Sequence, residues 1–144
     1  LDEIPREPID DDQTVSRHTY ARMFNQGQLW YASVLEFTDD SECRESVVWR
    51  KYASLPAEVH ELACRPEDHR RSKYRGFITA IVAQVREIVT ASGHRFKVTH
   101  EPVEGIQHAE ISMYPLDTLK PSMKSELKKL LWERFGALDS HSCK

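Results

Sequence analysis

Residues 95–114, RFKVTHEPVEGIQHAEISMY, restrict the fold more than any other stretch of the chain. Phe96, Val98 and His100 alternate with Arg95, Lys97, Thr99 and Glu101, and Ala109, Ile111 and Met113 alternate with His108, Glu110, Ser112 and Tyr114. Two such runs around Pro102 and Gly105 predict an antiparallel β-hairpin. Opposed residues share one side of a sheet, so the pairing decides which side chains meet. Setting Phe96 against Ile111 and Val98 against Ala109 puts apolar on apolar, faces Lys97 with Glu110, and leaves a connection at 102–105. A one-residue slip sets Val98 against Glu110 and His100 against His108. That slip buries a carboxylate, so the first register is predicted. His100 then points into the core, whereas His108 and Glu110 point outward beside Arg95, Lys97 and Tyr114.

The rest of the chain supplies partners for this ribbon. Ser16 is read as the cap of a short helix reaching about Asn25, with Gly27 as its stop. Residues 29–37, LWYASVLEF, are almost wholly apolar and read as a central strand. Turn residues at 38–42 lead into a strand at 44–52, making a first hairpin. Ser54 is read as the N-cap of a helix that has Pro56 in its first turn and stops before Pro66. The apolar spacing of residues 76–92 is read as a helix ended by Gly93, and a last helix is predicted over 119–135 with Leu127 and Leu131 inward. The predicted class is α+β: an antiparallel sheet of about four strands in two hairpins, with helices mainly on one side.

Charge divides the chain. Residues 1–12 hold six acids and one base, so their −5 leaves +2 on the remainder of a chain whose total is −3. Residues 1–13 are read as a flexible acidic leader, 14–138 as one domain and 139–144 as a disordered tail. No apolar run approaches the roughly 18 residues of a membrane span, so no membrane partner is expected. Cys43, Cys64 and Cys143 are far apart and outside any C-x-x-C pattern. They are read as free thiols of a cytoplasmic protein, with a Cys43–Cys64 bond as the other pairing weighed.

Three groups of residues carry chemistry. The outward set His108, Glu110, Lys97, Arg95 and Tyr114 has the parts for acid–base cleavage of a phosphodiester, with His108 and Glu110 moving protons and the cations steadying charge. A merely solvated sheet side has the same composition. His100, Glu101, His108 and Glu110 are metal-type donors, but the register separates the histidines and no H-x-x-x-H spacing exists, so neither metal nor cofactor is expected. Residues 65–75, RPEDHRRSKYR, form a basic connector in which Arg65, Arg70, Arg71, Lys73, Tyr74 and Arg75 are the candidate partner contacts. No phosphate loop, nucleophile elbow or dinucleotide fingerprint is present. The expected function is a small interaction domain that binds a protein or nucleic-acid partner through the connector and the polar sheet side. A small ribonuclease-type phosphodiesterase is the alternative.

Overall fold

The computed structural model describes residues 3–37 and 42–144. It is an α+β protein with a six-stranded antiparallel sheet, a separate two-stranded ribbon and four α-helices among the described residues. The main sheet is formed by β1 (Thr14–Tyr20), β4 (Arg44–Trp49), β5 (Tyr74–Ile81), β6 (Arg95–His100), β7 (His108–Tyr114) and β8 (Asp139–Ser140). The small ribbon is β2 (Phe24–Asn25) with β3 (Gln28–Leu29). The spatial order of the main sheet is β6-β7-β4-β1-β5-β8. The helices are α1 (Tyr31–Val34), α2 (Pro56–Ala63), α3 (Val82–Arg86) and α4 (Pro121–Trp132). None of them is long and apolar enough to cross a membrane.

Both sides of the sheet are covered. On the first side Val15, Val47, Trp49, Ile78, Phe96 and Ile111 meet Val34 of α1, Val82 and Val85 of α3, and Leu127 and Leu131 of α4. On the second side Val48 and Phe77 pack under Val59 of α2. Helix α2 starts at Pro56 with Leu55 at the N-cap position, one residue beyond the Ser54 expected there. Pro56 fills the first turn, and the Glu58 carboxylate accepts the Leu55 N–H at 2.9 Å.

The late hairpin forms, displaced by two residues from the expected pairing. Phe96 faces Met113, Val98 faces Ile111, and Thr99 rather than Lys97 faces Glu110. An even displacement preserves sidedness, so the same apolar set still lies inward. The larger Met113 thereby covers Phe96, and Pro102, which has no N–H, starts a 3-10 turn that lengthens the connection. His100 is buried, with Nε2 donating to the Ile106 carbonyl at 2.8 Å and Nδ1 accepting the Glu7 N–H at 3.0 Å.

Three segments depart from expectation. Residues 14–20 are a strand rather than a helix, with Ser16 Oγ 2.8 Å from Thr79 Oγ1. Residues 74–81 are a strand as well, paired along β1. Phe77 and Ile78 face opposite covered sides, so the two-residue alternation disappears and a helical spacing is mimicked. Residues 29–37 are not a central strand. Leu29 ends β3, Tyr31–Val34 form α1, and Leu35 and Phe37 lie just beyond it, inaccessible together with Val34. The first hairpin is therefore absent, and β4 pairs with β1 and β7 instead. Of the turn expected at 38–42, residues 38–41 lie outside the described residues.

The two termini also pack. Ile9 is buried, and the carbonyls of Asp11 and Gln13 accept the first N–H groups of α3, each at 2.9 Å. In the segment 139–144, expected to be disordered, Asp139 and Ser140 pair with β5, and Cys143 is disulfide-bonded to Cys64. Cys43 is the buried free thiol. The reading of three free thiols is corrected accordingly: folding α2 against β5 brings the end of α2 beside the tail, a proximity invisible in linear spacing.

Candidate functional site

Strands β1 and β4 pair only at Val15–Trp49 and Ser16–Val48, then separate. Arg17 fills the opening. Its guanidinium donates to the backbone carbonyls of Val34 at 3.2 Å and Ser46 at 3.4 Å, replacing donors that a continued ladder would have supplied. It also lies 3.2 Å from Glu45 and 3.6 Å from Glu36. Glu45 is almost inaccessible, and burial pushes its carboxyl above the usual range although Arg17 opposes the shift.

Above this ion pair the separated strands frame a polar cleft of about 430 Å³ on the second side of the sheet. His18 and Tyr20 from β1 line it, with Arg65 and Arg70 from the connector and His108 from β7. His18 Nε2 lies 2.9 Å from the Val59 carbonyl, which can only accept, so Nε2 carries the proton and Nδ1 keeps its lone pair. Burial pushes the His18 pKa down to about 4, so the ring is neutral near pH 7. The Arg70 guanidinium sits 4.9 Å from the Tyr20 ring centre, in cation–π range. Arg65 and the Tyr20 hydroxyl have no side-chain hydrogen-bond or ion-pair partner among the described residues, whereas Arg22 and Arg17 are held by Glu36 and Glu45. Arg70 is itself paired with Asp68 at 3.4 Å, so the uncommitted positive charge that the connector brings to the cleft is that of Arg65.

The connector residues separate in role. Arg65 and Arg70 reach the cleft. Arg71 instead donates to the carbonyls of Cys64 and Lys144, and Arg75 to those of Ser72 and Tyr74. Lys73 is exposed in a 3-10 turn that leads into β5. Tyr74 is completely buried, so its ring offers no surface to a nucleic-acid base.

The sheet residues are likewise divided. His108 lines the cleft, its Nδ1 donating to the Glu101 carbonyl at 2.7 Å and its Nε2 3.2 Å from the Ser46 hydroxyl. Glu110 and Lys97 border a second hollow with Arg6, and Glu110 lies 3.7 Å from Arg44. Lys97 lies over the Tyr114 ring at 4.9 Å, and Arg95 reaches the Arg86 carbonyl. The five residues are thus strung along β6 and β7 rather than gathered around one point. No group of three or more His, Cys, Asp or Glu among the described residues is arranged to hold a metal.

Arg17, His18 and Tyr20 were hidden from sequence reasoning by the helix assigned there. The signal was available: TVSRHTY is rich in β-branched and aromatic strand formers, and its alternate positions split into two sets. Compared with known proteins, the chain matches no family model, no curated protein and no solved structure.

Proposed function

We propose that this domain binds a protein partner by taking an acidic segment of it into the cleft between β1 and β4. The observation that carries this reading is the uncommitted Arg65 guanidinium beside Arg70 and the free Tyr20 hydroxyl. Guanidinium and hydroxyl donors suit carboxylates. The β6–β7 tip, whose Glu104 and Gln107 line the same cleft, exposes 88% of Val103 and 38% of Ile106. An apolar contact next to a basic cleft fits a protein surface better than a phosphate backbone. The burial of Tyr74 removes the aromatic that nucleic-acid stacking would use. The phosphodiesterase alternative has less support, because both ring nitrogens of His108 are engaged by the protein itself. The Cys64–Cys143 bond favours an oxidising compartment over the cytoplasm expected from sequence.

Titration with a fluorescent glutamate-rich peptide tests the proposal, with single-stranded RNA as competitor. Binding should weaken as salt rises, and R65A with R70A should lower affinity at least tenfold. Tighter binding of RNA than of peptide, or an undiminished double variant, would reject it.

A further inference from the structure

The tail is wired to the floor of the cleft. Asp139 Oδ1 lies 3.0 Å from His60 Nε2, and His60 Nδ1 lies 2.8 Å from the Tyr74 hydroxyl. A carboxylate fixes the proton on Nε2, so in the neutral ring Nδ1 accepts from Tyr74. His141 stacks on His60 at 4.3 Å with planes 17° apart. On its other flank the Tyr74 ring meets His18 at 5.4 Å and Tyr20 at 5.8 Å, both edge-on. His60 and Tyr74 are buried, so a rearrangement at one ring must be taken up by its neighbours.

The grip on this strap is slight without its covalent link. Its ladder is Gly76–Ser140 and Phe77–Asp139, supplemented by His141 N–H to the Arg75 carbonyl and Arg71 to the Lys144 carbonyl. Ser140, His141, Ser142 and Lys144 are exposed, so little apolar burial holds the segment. Close approach also demands Gly76, since a Cβ there would collide with the Asp139 carbonyl oxygen. Both cysteines of the bond are half-buried rather than sealed in the core.

We propose that residues 139–144 are a redox-released clasp that sets the shape of the cleft through Asp139, His60 and Tyr74; this rests on the cleft being the binding site. The reductant is a dithiol. Its thiolate attacks one sulfur of the Cys64–Cys143 bond to give a mixed disulfide, which its second thiol resolves. The two cysteines gain two electrons and two protons, and the reductant leaves as a disulfide. The freed strap then withdraws Asp139 and His141 from His60, and Tyr74 loses its fixed partner beneath Tyr20 and His18.

The test compares the full chain oxidised, reduced with dithiothreitol, and as the C64S/C143S variant. Hydrogen exchange at the His141 amide reports the strap, ring NMR signals of His18 and Tyr20 report the cleft, and the glutamate-rich peptide reports binding. Reduction and the double variant should each speed His141 exchange at least tenfold, shift the His18 and Tyr20 signals, and lower peptide affinity at least fivefold. H60L with the disulfide intact should shift the same signals. Equal His141 protection in both states, an unchanged His18 and Tyr20 environment after strap release, or cooperative loss of the whole fold on reduction would each overturn the clasp. Responsive ring signals in an oxidised protein that never binds the peptide would instead reject the ligand assignment and support the structural coupling.

Discussion

His18 shows how one buried ring couples the site to stability. Its folded pKa of about 4 lies below the ordinary 6.5, so the unfolded chain accepts a proton that the folded chain refuses. Stability from this group is complete above about pH 6.5 and declines as pH falls toward 4, by up to about 3 kcal/mol. Urea unfolding between pH 7 and pH 4.5 should show a smaller acid loss for H18Q than for wild type; identical pH slopes would contradict the burial argument. Glu45 has the opposite sign. Its pKa is raised, so its contribution is present at low pH and fades as pH rises through the folded value. Neither residue stood out in the sequence as a site. A buried carboxylate is legible only once its cation is known, and Arg17 becomes its partner only because two strands part.

Elements were legible where one periodicity had one cause. Helix α4 buries one stripe, so Leu127 and Leu131 were found from spacing alone. Leu127 is inaccessible, and L127A should cost about 2–5 kcal/mol in denaturant unfolding, a loss that an unburied leucine would not show. The late hairpin was legible in its sidedness but not its pairing, because parity follows from alternation while the offset depends on loop geometry. Strand β5 was illegible for the converse reason. It is covered on both sides, and residues buried on both sides carry no alternation to read. The apolar run at 29–37 is similarly ambiguous between a strand and a buried turn of helix, and contacts of α1 with α4 decided it.

At the scale of the whole molecule, the order of elements pointed to the α+β class and the distribution of charge to an acidic start, but neither showed the way both termini fold back. The leader stays largely exposed but is tied to the body by surface ion pairs: Asp11 pairs with Arg86 at 2.7 Å, and Arg6 pairs with Glu101 at 2.7 Å. The far flank of β5 depends on the other terminus. Phe135 bridges Ala80, Gly136 donates to the Thr79 carbonyl, and the clasped tail continues over Gly76 and Phe77. Removing only the last of these covers bares a short row of main-chain donors and acceptors, a template on which a neighbouring copy can lay its own β-segment. Sedimentation at rising concentration should therefore show self-association in the reduced chain and not in the oxidised one. One covalent bond between Cys64 and Cys143 would then also keep each copy from recruiting the next.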